Sequence, residues 1–129
     1  MKITGRVILF TYLGGAIGTL LRFWVSVSVT QNLVSLMIVN LLGAAALGWF
    51  NGDHRFASED SKAFWSVGFA GGFTTMSGVA IWFVDYATFG VGAPIIVVLM
   101  FALGIFCYWS GLLLGRRFGT DAPAEETAK

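Results

Sequence analysis

Four runs of apolar residues, at about residues 7–29, 33–50, 64–84 and 92–114, constrain this chain more than any other feature. Each is close to the roughly 20 residues that carry a helix across a bilayer. Between them lie short polar stretches, the longest being Asn51 to Ala63 and the segment after Gly115, so no water-soluble domain fits. Only 12% of the 129 residues are charged, about half the share of an average soluble protein. The expected fold is an all-α integral membrane protein, one four-helix domain over residues 1–129. Residues 119–129, rich in Ala, Glu and Thr, read as a disordered tail. The first run is too long and glycine-rich for a cleavable signal peptide and is expected to stay. Four helices enclose little space, which points to an oligomer.

The third run contains Gly71-Gly72-Phe73-Thr74-Thr75-Met76-Ser77-Gly78, an unusual way to fill a membrane helix. Every backbone N–H and C=O in hydrocarbon needs an internal partner, so irregular backbone survives only where protein or a polar cavity covers it. Gly71 and Gly72 lift the steric bar to leaving helical geometry, and Thr74, Thr75 and Ser77 can bond the freed groups. The reading is a broken third helix, which offers ions carbonyls on one side and N–H groups on the other. Close packing by small residues is the competing reading.

Charge and polar placement add detail. Arg22 lies inside the first run beside Phe23 and Trp24, suited either to snorkelling toward a headgroup layer or to attracting an anion. Asn40, between Val39 and Leu41, must find a partner at mid-membrane. It can bond a neighbouring helix, or present a neutral donor to an anion path. His54 reads as a solvated loop residue and Asp85 as interfacial. Arg116-Arg117 are expected to stop the fourth helix at a headgroup layer. Cys107 is the sole cysteine, so no disulfide framework forms within one chain. A net charge of +1 gives no nucleic-acid partner.

Lys2, Arg6, Arg55, Lys62, Arg116 and Arg117 lie on the side of the termini and the second loop, against no Lys or Arg at Thr30 to Asn32 or Asp85 to Val91. The positive-inside rule then places both termini in the cytoplasm of a multi-pass protein.

Arg22, then Val39-Asn40-Leu41 followed by Gly43, then Gly71-Gly72-Phe73-Thr74-Thr75-Met76-Ser77, together resemble the CrcB or Fluc family of bacterial fluoride channels. The resemblance covers the whole chain in helix number, length and motif order. It implies an antiparallel dimer in a bacterial cell membrane, with two fluoride paths along the interface and a structural sodium ion (Na+) at its centre. Gly71 and Thr74 would supply sodium-coordinating carbonyls, Asn40, Thr75, Met76, Ser77 and Val79 the fluoride path, and Arg22 a place near the aqueous mouth. The family pattern TTFSTF reads Thr74-Thr75-Met76-Ser77-Gly78-Val79 here, so Met76 and Val79 replace two phenylalanines and Gly78 a hydroxyl. Ser35-Leu36-Met37 stands for the family's Gly-Thr-Leu, and Ile105 for a fourth-helix serine.

The leading functional reading is a subunit of a passive fluoride-selective channel that exports cytoplasmic fluoride. An inside-negative potential drives the anion out at about 2.3 kcal/mol per charge per 100 mV, so no pump is needed. The one-sided charge bias and the altered lining both point to a heterodimer with a homologous four-helix subunit. A non-conducting assembly or regulatory subunit is the alternative. A proton-coupled four-helix multidrug exporter is disfavoured, because it needs a membrane-embedded carboxylate and every Asp and Glu here lies in a loop, at a helix end or in the tail. No enzyme reading survives, for want of a nucleophile and base pair or a metal-ligand cluster.

Overall fold

The computed structural model describes residues 3–86 and 90–119. Four helical spans are long and apolar enough to cross a membrane: Gly5–Ser28, Asn32–Gly52, Glu59–Tyr86 and Gly92–Gly119. The chain is thus a multi-pass membrane protein. The first is α1 (Gly5–Ser28), whose N-cap Thr4 accepts from the Val7 N–H. The second is α2 (Asn32–Gly52).

The third span is composite. Ser58 caps a short α3 (Glu59–Ser61) by accepting from Ser61 N–H, and Glu59 and Asp60 occupy its first turn, where carboxylates suit the helix dipole. A π-helix over Lys62–Phe69, α4 (Ala70–Phe73) and α5 (Met76–Tyr86) follow. The span therefore starts five residues before the apolar run, because the Ser-Glu-Asp capping signal lies in the polar segment read as loop. Gly90, at φ 87, makes the turn before α6 (Gly92–Gly119), and Pro94 falls in its first turn, where backbone N–H groups have no partner to lose. Arg116 and Arg117 do not stop this helix. They sit in its last turn, where cations complement the dipole, and Gly119, expected in the tail, is its final residue. Residues 120–129 lie outside the described residues.

The spans associate as two close pairs, α1 with the first half of the third span and α2 with α6. Gly14 and Gly18 of α1 face Gly68 and Gly72, each pair spaced four apart. A Cβ on Gly18 would lie 2.8 Å from Phe73 N, and one on Gly68 would lie 2.5 Å from Thr11 O. In the other pair Gly48 and Gly52 of α2 meet Gly111 and Gly115 of α6, and a Cβ on Gly115 would lie 2.5 Å from Trp49 O. Without a hydrophobic force between helices in lipid, backbone contact of this kind holds the spans together. Large apolar side chains such as Leu20, Phe23, Val84 and Phe106 stay exposed, as suits a lipid-facing surface.

Between the pairs, Phe50, Phe56, Trp65 and Phe69 pack ring against ring, and Phe69 stacks on Phe73 at 5.9 Å, tying the 54–56 turn to the middle of the third span. The ends of the pairs are also fastened. Arg6 bonds Asp60 at 2.8 Å, and Asp53 is buried under the end of α6, its carboxylate held by Arg55 at 2.7 Å. The Arg55 guanidinium hydrogen-bonded to Asp53 keeps its carboxyl below the usual carboxylate range.

A methyl at Gly111 would collide with the Ala45 carbonyl and lie 3.1 Å from Trp49 N. Gly111→Ala should therefore cost about 1–3 kcal/mol through forced separation of α2 and α6. Gly92→Ala, with open space around it at the start of the same helix, should be neutral or slightly stabilising. Denaturation midpoints in detergent would decide, and equal midpoints for the two variants would contradict this packing.

Candidate functional site

The third span is interrupted at Thr74 and Thr75, between α4 and α5. The break falls inside the expected stretch Gly71–Gly78, but Gly71 and Gly72 are both helical, and the extended residue is Thr74, at φ −79 and ψ 159. No left-handed backbone is needed there, so glycine's freedom is not what opens the helix. Gly72 serves packing instead, since its Cβ would lie 3.0 Å from Gly15 Cα. Gly71 is open, with nothing within 4 Å of a Cβ.

What holds the break is a set of side chains from other spans. Asn40 of α2 grips Thr75 at both backbone groups: its Oδ1 accepts from Thr75 N–H at 2.8 Å and its Nδ2 donates to Thr75 C=O at 3.2 Å. Arg22 of α1 donates from Nη1 to Thr74 C=O at 3.2 Å, placing a cation at the C-terminal end of α4, where the dipole favours it. Thr19 donates to Gly72 C=O at 3.4 Å. Thr75 Oγ1 accepts from Gly78 N–H at 3.1 Å, the geometry of an N-cap on α5, and lies 3.3 Å from Ser77 Oγ. Thr74 Oγ1 turns back to Ala70 C=O at 2.9 Å, and Gly43 makes room for its methyl, since a Cβ there would also lie 3.3 Å from Phe73 Cδ1.

Arg22, expected near an aqueous mouth, thus reaches the break itself. Below it, Ser26 donates to Arg22 C=O at 2.9 Å and lies 3.4 Å from Ser35. Ser26 and Ser35 line a small cavity of about 200 Å³ with Asn32, Asp85 and Tyr86, whose other walls are Leu36, Gly78, Ile81 and Trp82. A larger groove of about 430 Å³ lies along α2 and α6. Asn40, Gly71, Thr74 and Met76 line it near the break, and Ile105 and Tyr108 farther along α6. Met76 and Ser77 are exposed, whereas Val79 is buried at 4% exposure among Leu33, Leu36 and Met100. The structure therefore brings Asn40, Thr74 and Met76 to one groove, keeps Thr75 attached through Asn40, and turns Val79 into the packing between α2 and α6. Ser66, Asn51 and Tyr108, which form a second polar cluster, went unassigned, although a hydroxyl or amide in or beside an apolar span was a readable signal.

The sequence that builds this groove and break matches known proteins. The family model "CrcB-like protein, Camphor Resistance (CrcB)" matches residues 9–112. The chain belongs to this CrcB-like family. Among its relatives, a protein named fluoride-specific ion channel FluC 2 from Leifsonia xyli subsp. xyli is 30% identical over 127 residues, covering 89% of this chain and 87% of the relative. One named fluoride-specific ion channel FluC 1 from Geobacillus kaustophilus is 31% identical, covering 84% of this chain and 97% of the relative. One named fluoride-specific ion channel FluC from Paramagnetospirillum magneticum is 32% identical, covering 77% and 87%. No solved structure matches the chain. The names of these CrcB-like relatives describe a channel and not an enzyme.

The arrangement offers neutral groups of both signs at one depth. In the first turn of α5 the Gly78 N–H is taken by Thr75 Oγ1, while those of Met76 and Ser77 have no helical acceptor behind them and suit an anion. On the other side, the Thr75 N–H that would continue the ladder to Gly71 C=O is taken by Asn40, which releases the Gly71 oxygen. That oxygen suits a hard cation such as sodium. The Thr74 oxygen does not while Arg22 is seated on it, because a second cation about 5 Å from the guanidinium would be repelled by roughly 3 kcal/mol at an effective dielectric of 20. Of the two carbonyls that the resemblance gives to sodium, Thr74's is thus bonded to Arg22 and Gly71's is left by Thr75.

Replacing Asn40 by Leu would strip Thr75 of partners for both its N–H and its C=O. The expected loss is roughly 2–4 kcal/mol, between the modest value of a single membrane hydrogen bond and the cost of two unpaired buried groups. Asn40→Ser, which keeps one short donor and acceptor, should lose less. Unfolding in mixed micelles gives the measurement, and a wild-type midpoint for Asn40→Leu would show that the clamp does not hold the break.

Proposed function

We propose that this chain is one subunit of a passive fluoride-selective channel that carries fluoride out of the cytoplasm. The observation that carries the reading is the break at Thr74 and Thr75, clamped by Asn40 and opening on a groove, in a chain whose relatives are named as fluoride-specific channels. Fluoride is small and strongly hydrated. A site that strips its water must replace it with fixed donors without trapping the ion, and neutral amides and hydroxyls do this better than ammonium groups. The second N–H of Asn40, the N–H groups at the start of α5 and the hydroxyl of Ser77 are the donors near the break. An inside-negative potential supplies the driving force.

The groove is open along one side, which supports a conducting path completed by a second four-helix subunit in antiparallel orientation. In the same reading a structural sodium ion lies between Gly71 and Thr74 of the two subunits, and Arg22 then has to leave the Thr74 carbonyl. Replacing sodium by a large organic cation should lower the melting point of the assembled protein, and an unchanged melting point would remove sodium from the proposal. The alternative of a non-conducting assembly subunit draws on the apolar lining, since Met76 and Ile105 offer the groove no donor.

Both termini are assigned to the cytoplasm. The Arg6–Asp60 bond and the packing of Gly119 on Asp53 support one shared face for the start of α1, the 53–58 turn and the end of α6, which carry Arg6, Arg55, Arg116 and Arg117. In a Cys107→Ser background, Lys2→Cys and Thr120→Cys should resist membrane-impermeant thiol reagents in intact cells. Reaction of both from outside in a fraction of molecules would reveal dual insertion.

Because six Lys and Arg on one side against none on the other give a single orientation, a homologous partner of opposite bias is the favoured mate. Liposomes holding this chain alone should release fluoride little faster than empty ones, and adding such a partner should raise efflux by orders of magnitude. Full conduction by this chain alone would overturn the heterodimer, and silence in every combination would overturn the channel.

A further inference from the structure

The 200 Å³ cavity lies on the side of the break away from the termini, between α1, α2 and α5. Gly78, in the first turn of α5, and Ser26, one turn past Arg22 on α1, stand at its inner end. Asn32, the first residue of α2, and Asp85, in the last turn of α5, stand at its outer end. Ser35, 5% exposed, lies in the wall between them, its Oγ 3.4 Å from that of Ser26. The space has room for several waters at roughly 30 Å³ each, with hydroxyls, an amide and a carboxylate to hold them. The carboxylate is isolated. No charged residue stands between Arg22 and Asp53, and Asp85 is the only one between Lys62 and Arg116. Asp85 is exposed and makes no ion pair among the described residues. The basic residues Arg6, Arg55, Arg116 and Arg117 gather at the opposite end of the spans.

We propose that this cavity is the outer segment of the fluoride path on this chain and that Asp85 limits its uptake of anions from outside. The inference rests on the fluoride reading and on the cytoplasmic termini assigned above, and adds a residue that governs the direction of flow. A fixed charge at a mouth with low-dielectric walls changes the local concentration of small ions before any contact is made. Asp85 depletes anions at the outer end, and the basic end enriches them on the cytoplasmic side. At small driving forces a passive path conducts equally both ways. Under a strong potential, each direction is limited by capture at the mouth the ion comes from, so an isolated outer carboxylate slows entry more than exit. Asp85 acts through space and needs no contact with the ion.

The test uses right-side-out membrane vesicles holding whichever assembly conducts, so that the native orientation is kept, with a potassium diffusion potential of either sign. At about 10 mM ionic strength, where screening acts over about 30 Å, Asp85→Asn should speed inward fluoride flux about two- to fivefold. Outward flux should gain about half as much or less. Asp85→Lys should enlarge the inward gain. At about 1 M salt, with screening over about 3 Å, the gains should vanish. Melting points should stay at the wild-type value, as suits an exposed side chain. Wild-type inward flux in Asp85→Asn at low salt would overturn the proposal while leaving the channel reading intact. Gains that are equal in both directions, larger outward, or persistent at high salt would also overturn it, since a field at the outer mouth gives none of these. Absence of fluoride flux from every wild-type assembly would overturn the channel reading, and this one with it.

Discussion

The structure depends on the two hydrogen bonds by which Asn40 holds Thr75. A helix interrupted in hydrocarbon exposes N–H and C=O groups that water cannot reach, and each one left alone costs more than a typical hydrogen bond contributes. A primary amide is well suited to the repair, because it carries a donor and an acceptor side by side and can replace the missing neighbours of one residue. Once Thr75 is held from α2, Thr74 is free to turn out of the ladder and Thr75 Oγ1 is in place to cap α5. Arg22 completes the arrangement from α1, so the break is fixed from both helix pairs at once.

That dependence gives the glycines their meaning. The four close-spaced pairs bring α1 to the third span and α2 to α6 at backbone contact, which sets the depth at which Asn40 and Arg22 meet the break. Asparagine and arginine reach over different lengths, a few ångströms for one and a long flexible stem for the other. The short one tolerates little error in helix separation. A methyl inserted between α2 and α6 therefore acts on the site as well as on the fold.

The chemistry of the site follows from what the clamp leaves over. Asn40 spends one of its two amide hydrogens on Thr75 and keeps the other. The helix starting at Met76 adds backbone N–H groups. The permanent charge of Arg22 is spent on a carbonyl oxygen at the end of α4. Neutral donors beside a positive charge suit an anion, and the proposed fluoride path draws on that combination. That combination permits entry without a deep well.

The sequence by itself determined the membrane class, the number of spans, the presence of a break in the third and the family, because run length, hydropathy and local motifs are properties of consecutive residues. It also marked Asn40 and Arg22, since a polar group in an apolar run announces itself wherever the chain goes. Only the tertiary structure decided where the break falls, because that position is set by partners 35 and 52 residues away. Gly71-Gly72 offered the freedom to leave the helix, yet Gly72 packs against α1 and the helix leaves its course at Thr74, farther along the same stretch, where side-chain partners reach it. For the same reason Val79 and Met76, three residues apart in one motif, differ in surroundings: Val79 is buried against α2 and α6, whereas Met76 is exposed and also faces the groove. Which face of a helix meets protein and which meets an open groove depends on how the spans rotate against one another, and no local pattern of an all-apolar helix records that rotation.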